Sequence, residues 1–420
     1  MPSLLFVTDN FIPENNAPSY RTFAHCEAWK NLNWKITVLT SVPNAPKGKV
    51  FPGFNNKLFQ TEKIDDIVVY RIWTFIAANA GFYLRILDFL SFLFMAIIAS
   101  FFIKKHDFVV STSPQFFAGC SGLFISKIHG AKWILEIRDF WPESIVSVGR
   151  LSKESKLYKI LFRIAILMYK KTDGIIVVSE KSKEILISYG IEQQKILVAP
   201  NGIAENDVTF FSETQRTNTS QIKNRKIRVG YVGTIGEAHA LETLINTAEI
   251  LRDSDEFEFY LVGNGSRQEA LCQLCQTLKL SNVHFITSIN AKNRNKVLLE
   301  LDIGIITLKN DPLFETVIPS KIFDYAVAKL PILIGVKGEA RSIVEHSGLG
   351  FYFEPENASQ LARRLTDLKD GKIKLVSQAR DEFIESHLRT VIAHKIAEFI
   401  VGVTTFSLDD DTPSMNSNDN

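Results

Sequence analysis

The stretch ETVIPSKIFDYAVAKLPILIG, residues 315–335, predicts a short helix that runs into an apolar strand. A step of 100° per residue places Lys321, Asp324 and Tyr325 on one side of this helix, away from the core. The other side carries Ile322 and Phe323. Two interpretations of the lysine and aspartate stay open. They form either an ion pair on a solvated face, worth only ~0.3 kcal/mol, or a site for a nucleoside diphosphate. In such a site the lysine and the helix amides would bind phosphate, and the aspartate would bind the ribose hydroxyls.

Apolar strand-like runs alternate with helical patterns on both sides of this stretch. In the second half the predicted strands are IRVGYVG (227–233), FEFYLVG (257–263), VHFI (283–286), DIGIITL (302–308), PILIG (331–335) and GFYF (350–353). In the first half they are LLFVT (4–8), KITVLT (35–40), IVVYRI (67–72), FVVST (108–112), WILEI (133–137) and GIIVVS (174–179). Runs that are apolar on both faces are typical of parallel strands covered by helices. The predicted fold class is therefore α/β, with two doubly wound parallel-sheet domains.

The chain of 420 residues suits two domains of this kind. We predict a first domain over 1–202 and a second over 226–385, joined by a linker over 203–225. A C-terminal helix over 386–403 is expected to cross back to the first domain, and the acidic residues 404–420 are predicted to form a disordered tail. Two open sheets leave a cleft between them, and ligands of such sheets bind beyond the carboxyl ends of the strands.

Charge and cysteine content narrow the class of protein. The net charge is only +2, but residues 1–200 hold 24 Lys and Arg against 16 Asp and Glu, whereas the rest hold 24 against 30. A basic first half favours an anionic surface such as a membrane, unless the asymmetry arises by chance. The sequence contains no clear basic patch with interleaved aromatic residues, which argues against nucleic-acid binding. The four cysteines, at positions 26, 120, 272 and 275, are too few for a disulfide framework in a chain of 420 residues. A reducing cytoplasm therefore fits best.

One segment of the first half has the composition of a membrane element. FLSFLFMAIIASFFI, residues 89–103, precedes Lys104 and Lys105, but its length falls short of the ~20 residues that span a bilayer. It predicts either a buried helix of the first domain or a helix that dips into the membrane interface. The segment YKILFRIAILMYKK, residues 158–171, is also apolar with basic residues spread along it. We therefore hypothesise peripheral membrane association through the first domain.

Polar residues follow two predicted strands of the first domain. The loop TDNFIPENNAPSYR, residues 8–21, lacks the GxGxxG motif of a dinucleotide fold and instead offers Glu14 and Arg21. The strand over 133–137 leads directly into Arg138 and Asp139. Loops at the carboxyl ends of strands often contact ligand. Each charged group here is either satisfied within the protein or directed into the cleft, and both interpretations stay open.

Glycine-rich strand ends mark the second domain. It opens with VGYVGTIGEAHALETL, residues 229–244, in which Gly233 and Gly236 allow a ligand to approach the backbone closely. His239 lies at the start of the helix that follows, where anions bind readily. Gly263 ends the next strand in the same way. Such glycine pairs are a weak signal, because turns without a ligand also need them.

Together these segments resemble the retaining glycosyltransferases of family 4, which have the GT-B fold. Among them the sequence is most similar to bacterial surface-polysaccharide enzymes of the WbuB type. The resemblance rests on PNG (200–202), near the border between the domains. In the second domain it rests on VGYVGTIGEAHALETL (229–244), YLVGNG (260–265), NVHFI (282–286), IPSKIFDYAVAKLPILIG (318–335) and GEARSIVEHSGLG (338–350). In the first domain it rests on FIPENNAPSYR (11–21), EIRDFWPESI (136–145) and VVSEKSKEILISYGI (177–191). It covers residues 1 to about 400 and is more specific in the second domain.

This resemblance implies transfer of a sugar from a nucleotide sugar, usually a UDP-sugar, with retention at the anomeric carbon and with neither cofactor nor bound metal. The acceptor would be lipid-linked or an oligosaccharide, and the protein cytoplasmic or peripheral on the cytoplasmic face of the inner membrane. The implied donor site comprises Gly233, Thr234, His239, Gly263, Thr316, Ser320, Lys321 and Asp324. In it Lys321 would hold the diphosphate and Asp324 the ribose. The implied catalytic residues are Glu14, which faces the reacting sugar as Arg21 does, Asp139, beside the acceptor, and Lys321.

Two departures from the family pattern bear on activity. Many members carry two glutamates with seven residues between them, whereas the aligned positions here hold Thr316 and Asp324, and Glu315 is one residue out of register. The arginine and lysine that often clamp the diphosphate are replaced by Thr234 and His239. Two alternatives therefore stay open: a GT-B sugar-nucleotide epimerase, and a glycosyltransferase-like protein that binds its ligand without catalysis.

Overall fold

The computed structural model describes residues 1–14, 16–45, 48–76, 81–113, 115–147, 149, 151–214, 225–287, 291–373 and 377–409. Its first sheet holds eight strands: β1 (Ser3–Val7), β2 (Lys35–Ser41), β3 (Phe59–Ile64), β4 (Ile67–Ile72), β5 (Phe108–Thr112), β6 (Lys132–Ile137), β7 (Gly174–Val177) and β8 (Ile196–Val198). They are hydrogen-bonded in the order β3-β4-β2-β1-β5-β6-β7-β8. Every pair is parallel except β3 with β4.

The second sheet holds six parallel strands: β9 (Ile227–Val232), β10 (Phe257–Val262), β11 (Val283–Ile286), β12 (Ile303–Thr307), β13 (Ile332–Gly335) and β14 (Gly350–Tyr352). Their order is β11-β10-β9-β12-β13-β14. All residues of β5 and β12 are buried, as expected for strands covered on both faces. The chain switches sides beside β1 in one sheet and β9 in the other, which leaves a crevice at each carboxyl edge. The predicted α/β fold with two Rossmann-like sheets is confirmed.

Helices cover both faces of the first sheet. They are α1 (Ala17–Asn31), α2 (Gly81–Ser100), α3 (Phe116–His129), α4 (Glu143–Ser147), α5 (Lys156–Lys171) and α6 (Glu180–Ser188). Side chains of α2, α3, α5 and α6 share one core with the sheet, in which Phe92 and Trp133 are buried. Side chains of α1 form a second core on the opposite face, around Trp29.

The second sheet is likewise enclosed by helices. They are α7 (Glu205–Glu213), α8 (Glu242–Ile250), α9 (Gln268–Thr277), α10 (Ala291–Glu300), α11 (Lys321–Val327), α12 (Glu339–His346), α13 (Ala358–Lys369) and α14 (Ser377–Ser386). Two cores result, one on each face, around Tyr325 and around Tyr231.

Two segments differ from the sequence prediction. The predicted linker 203–225 contains α7, which forms because Phe211 is buried in the second domain; residues 215–224 lie outside the described residues. The C-terminal region forms two helices, α14 and then α15 (Arg389–Asp409). The second of these extends beyond 403 into the predicted tail, of which residues 410–420 lie outside the described residues.

Helix α15 packs on the first domain, against α1, β6 and β7. Ile392, Ile396 and Ile400 are buried in the core that contains Trp29. The indole Nε1 of Trp29 donates a hydrogen bond to the carbonyl of Ala393 at 2.8 Å. Helix α14 contacts α11 in the second domain, whereas α15 packs on the first domain and completes its helical layer.

Candidate active site

Two glycine turns at the carboxyl edge of the second sheet lie directly against each other. Gly233 follows β9 with a φ of 148°, and Gly263 follows β10 with a φ of 139°. A Cβ atom on Gly263 would lie 2.0 Å from the carbonyl oxygen of Gly233, and one on Gly233 would lie 2.8 Å from Nζ of Lys321. Both positions therefore require glycine. Gly263 holds the Gly233 turn in place, and Gly233 makes room for Lys321.

Lys321, the first residue of α11, extends its side chain over the Gly233 turn. Its Nζ lies 4.7 Å from the ring centroid of Tyr231, which is a cation–π contact. Among the residues that the structure describes, none forms an ion pair or a hydrogen bond with this amine. Burial lowers the pKa of Lys321 to about 8, and Asp324 opposes the shift. An unpaired, partly buried cation destabilises the fold, so its placement indicates a site for an anion.

Tyr325 fixes the position of α11, although the helical projection places it on the solvated side. That prediction is wrong: Tyr325 is fully buried. Its hydroxyl accepts a hydrogen bond at 2.9 Å from the backbone N–H of Val232, the last residue of β9. The helix is enclosed because α7 and α14 also pack against it. The buried hydrogen bond between Tyr325 and Val232 therefore fixes α11, and with it Lys321, relative to the end of β9.

The first turn of α11 has fewer free backbone N–H groups for an anion than the sequence predicts. The N–H groups of Ile322 and Phe323 donate to the carbonyls of Pro319 and Ser320, at 3.0 and 3.1 Å. The side chain of Ser320 makes no capping hydrogen bond. The positive charge at this site therefore comes from the amine of Lys321 rather than from a row of free amides.

Asp324 pairs with a residue that sequence reasoning missed. Nη1 of Arg294, on α10, lies 3.1 Å from a carboxylate oxygen of Asp324, and Nη2 of the same guanidinium lies 2.5 Å from Asp207, on α7. The ion pair between Lys321 and Asp324, one of the two interpretations that the sequence left open, does not form. Burial raises the pKa of Asp324, and Arg294 opposes the shift. The Asp324 side chain stays 26% exposed, so it remains accessible to a ligand hydroxyl.

His239 lies close to Lys321, on the 3₁₀ turn that follows Gly236. Its ring packs edge-on against Tyr231, with centroids 5.8 Å apart. Burial and repulsion from Lys321 lower the pKa of His239 to about 3, so the ring is neutral at pH 7. Its buried Nδ1 has no hydrogen-bond partner among the described residues. His239 therefore adds hydrogen-bonding capacity to the site, and no charge.

Thr234 completes the Gly233 turn. Its side chain is exposed, and its carbonyl accepts a hydrogen bond from the hydroxyl of Tyr231 at 2.6 Å. Tyr231 thus contacts Lys321 with its ring and holds the turn with its hydroxyl. No local pattern predicts this role, because Tyr231 looks like an ordinary core residue of β9.

Thr316, at the position of the family's first glutamate, joins the two domains. Its hydroxyl donates to the carbonyl of Leu313 at 2.7 Å, and its own carbonyl accepts from the hydroxyl of Ser179, in the first domain, at 2.8 Å. Thr316 lines a pocket between the two domains, whereas Glu315 lines a separate pocket together with Lys337. Glu315 therefore does not replace the missing glutamate, and Thr316 is held by its own turn.

Glu14 does not face the cleft, which corrects the prediction that it lies beside the reacting sugar. It is 1% exposed. Its Oε1 accepts hydrogen bonds from the backbone N–H groups of Asn44 and Ala45 at 2.7 and 2.8 Å, and its Oε2 accepts one from Asn16 at 3.4 Å. Burial raises the pKa of Glu14, and these hydrogen bonds oppose the shift. Glu14 thus ties two loops of the first domain together.

Asp139, directly after β6 and Arg138, is exposed and lines a pocket between the domains, which Thr316 also lines. The surrounding protein raises its pKa, and Arg21 and Arg138 oppose the shift. Both arginines are buried and pair with Glu136, Arg21 through Nη2 at 3.6 Å. Arg21 therefore belongs to a buried ion cluster and not to the surface that faces a sugar, whereas Asp139 is open to the cleft.

The structure thus groups the predicted residues into three sets. Gly233, Thr234, His239 and Lys321 lie together at the end of β9, with Gly263 behind them. Asp324 lies one helical turn away, and Asp139 faces Thr316 across the domain boundary. In the part of the chain that is described, no group of three or more His, Cys, Asp or Glu side chains could hold a metal ion.

Two family models match the chain. The model described as Glycosyltransferase Family 4 matches residues 21–207, and the model described as Glycosyl transferases group 1 matches residues 212–386. Between them they account for almost all of both sheets.

Two curated relatives are similar at low identity. Probable glycosyltransferase WbjE of Pseudomonas aeruginosa is 22% identical over 243 residues, which cover 57% of this chain and 60% of WbjE, less than two thirds of that relative. Putative colanic acid biosynthesis glycosyl transferase WcaI of Escherichia coli (strain K12) is 22% identical over 329 residues, which cover 74% of this chain and 78% of WcaI.

Solved structures share the whole fold. Sucrose-phosphate synthase from Thermosynechococcus elongatus has a TM-score of 0.69 at 12% identity and covers 97% of this chain and 100% of its own. HepE of Anabaena, solved in complex with UDP and glucose, has a TM-score of 0.65 at 16% identity and covers 95% and 99%. These likenesses show the GT-B fold alone. With a glycosyltransferase family model matched in each half, the chain belongs to the family 4 glycosyltransferases of the GT-B fold.

Proposed function

We propose that this protein transfers a sugar from a UDP-sugar, with retention and without metal, to a lipid-linked or saccharide acceptor of surface-polysaccharide synthesis. The single observation that carries the proposal is the amine of Lys321. It lies over the Gly233 turn, beside Tyr231, and no described residue pairs with it. A diphosphate placed at the carboxyl end of β9 would supply the missing counter-charge.

The chemistry of glycosyl transfer makes use of such a cation. As the bond between the sugar and the diphosphate breaks, negative charge grows on the leaving phosphate. A positioned cation stabilises this charge in the transition state more than in the ground state. Lys321 would act there, and Asp324 would accept hydrogen bonds from the ribose hydroxyls. A displacement on the front face of the sugar, assisted by the leaving group, needs no covalent carboxylate.

The nature of the donor and acceptor is supported by the relatives. HepE was solved with UDP and glucose, which favours a UDP-linked hexose here, with a UDP-linked N-acetylhexosamine as the alternative donor. WcaI is named for colanic acid biosynthesis, which favours a saccharide acceptor. Asp139, exposed across the domain boundary from Thr316, would contact the hydroxyl of that acceptor.

The test is calorimetric titration of UDP, GDP and ADP into the full chain and into Lys321→Ala. We expect UDP to bind, and the variant to bind it at least tenfold more weakly, since a charge-assisted contact contributes ~1.5–3 kcal/mol. Lys296→Ala, which removes an exposed lysine from the same domain, is the matched control and should bind normally. EDTA should change neither result. Equal binding by wild type and Lys321→Ala would refute the proposal.

A second function is favoured by one observation at Thr316. Where many relatives carry a glutamate, this chain carries Thr316. Its hydroxyl donates a hydrogen bond to the Leu313 carbonyl. The protein would then bind a nucleotide sugar without transferring it. A panel of UDP-sugars with saccharide and lipid-linked acceptors separates the two functions: released UDP indicates transfer, and tight binding without release indicates the second function.

A further inference from the structure

We propose that the outer surface of α2, α3 and α5 is a docking face for an anionic lipid bilayer. Helix α3 lies between the other two and packs against both. Large apolar side chains along this layer point to solvent: Phe94 is 61% exposed, Phe101 68% and Phe102 75%. Exposed apolar side chains that cluster on one face indicate an interaction site. We call this layer the α2–α3–α5 face.

The apolar side chains continue across all three helices. Phe124 on α3 is 49% exposed, and Ile160 and Leu167 on α5 are 54% and 50% exposed. The opposite sides of the same helices form the core of the first domain, where Phe92 and Met168 are buried. Each helix thus has apolar side chains on both sides, of which the sheet covers only one.

Charge on this face selects the occupant. Helices α2, α3 and α5 with residues 104–105 contain nine Lys and Arg, and Asp88 is the single acidic residue among them. The side chains of Lys104, Lys105, Lys156 and Lys159 are exposed, and none forms an ion pair with a described residue. Lysines that surround exposed phenylalanines match the phosphate headgroups and acyl chains of an anionic bilayer. A symmetric dimer would bring these like charges together, which disfavours a second copy as the occupant.

The face lies on the surface of a bilayer and does not span it. Among the described helices, none has the length and hydrophobicity of a membrane crossing. Helix α2 follows β4, so it begins at the carboxyl edge of the sheet, where Leu84 and Leu87 are exposed. It ends at the opposite edge, at Ser100, and the exposed Phe101 follows directly. Its 20 residues are about 30 Å long. A bilayer along this face would therefore reach the edge of the first domain at which the cleft opens.

Vesicle co-sedimentation of the full chain, without nucleotide, tests the proposal independently of sugar transfer. We expect binding to vesicles of phosphatidylglycerol and phosphatidylcholine at 50 mM salt, a lower bound fraction at 0.5 M salt, and little binding to phosphatidylcholine alone. Lys104→Gln with Lys105→Gln should weaken partitioning about 30-fold, at roughly fivefold per lysine. Phe101→Ser with Phe102→Ser should weaken it at least tenfold.

Two second-domain variants are the controls. Ile250→Ser removes an apolar side chain that is 51% exposed, and Lys296→Gln removes an exposed lysine; both should partition like wild type. Circular dichroism verifies that each variant is folded. The proposal is overturned if wild type ignores anionic vesicles at 50 mM salt, or if the controls lose binding as much as the face variants do. It is also overturned if wild type forms dimers that the Phe101 and Phe102 variant abolishes.

Discussion

Replacement of Lys321 by methionine is expected to stabilise the protein at neutral pH while removing its affinity for UDP. Burial moves the pKa of Lys321 from 10.5 to about 8. Such a shift means that the protonated amine destabilises the fold by roughly 3 kcal/mol relative to the unfolded chain. Methionine keeps the apolar stem and loses the charge. It also loses the cation–π contact with Tyr231, worth about 1 kcal/mol, so a net gain of about 2 kcal/mol remains.

The dependence of this gain on pH separates the charge from other effects of the substitution. Between pH 8 and 10.5 the unfolded chain still holds the proton that the folded protein has released, so the stability of wild type rises with pH in this window. The advantage of Lys321→Met should thus be complete below pH 8 and vanish by pH 10.5. Urea unfolding of both proteins at pH 7 and pH 10 measures it, with Lys296→Met as the exposed control. A variant that is less stable at pH 7, or a gain that is equal at both values, would refute the reasoning.

Three further predictions concern the same residues. UDP should bind wild type about 30-fold more weakly at pH 9.5 than at pH 7, because Lys321 loses its proton near pH 8 while the phosphates stay ionised. Calorimetry of Lys321→Ala should show no such loss of affinity. A UDP affinity of wild type that does not change with pH would count against the site. Gly263→Ala should lower both stability and UDP affinity, because its Cβ would lie 2.0 Å from the Gly233 oxygen; Gly371→Ala, also at positive φ but in open space, should cost only ~1–2 kcal/mol and leave binding intact. Glu14→Gln should destabilise the first domain by ~1–3 kcal/mol without a change in UDP affinity, and a parallel loss of affinity would restore Glu14 to the sugar site.

The positions of most strands along the chain were predictable because they depend on local sequence. Runs such as FVVST are apolar on both faces, and only a strand buried on both faces satisfies them. The strand β3 was missed because every second residue of this edge strand is exposed, so its sequence FQTEKI has little apolar character. Helix α7 was missed for a similar reason: its polar residues look like a linker, and Phe211 reveals its buried side only once α11 is in place.

The charged partners at the site could not be predicted, because they come from distant parts of the chain. Asp207, Arg294 and Asp324 lie on three different helices, and no local pattern relates them. The same limitation explains the error at Glu14, whose partners Asn44 and Ala45 belong to another loop. Lys321 could be selected as a candidate from the sequence because its position at the start of an apolar helix is a local feature. The sequence left open whether Lys321 forms an ion pair with Asp324, and the structure shows that Arg294 pairs with Asp324 instead.

The cations around the cleft differ in one respect that bears on where an anion binds. Arg294 is neutralised by Asp207 and Asp324, and Arg21 and Arg138 share Glu136. Guanidinium groups held in this way attract an incoming diphosphate weakly, because their charge is already compensated within a few ångströms. The amine of Lys321 has no such compensation among the described residues. We therefore expect a diphosphate to be attracted to the end of β9, where its binding would relieve the destabilisation that the Lys321 charge causes.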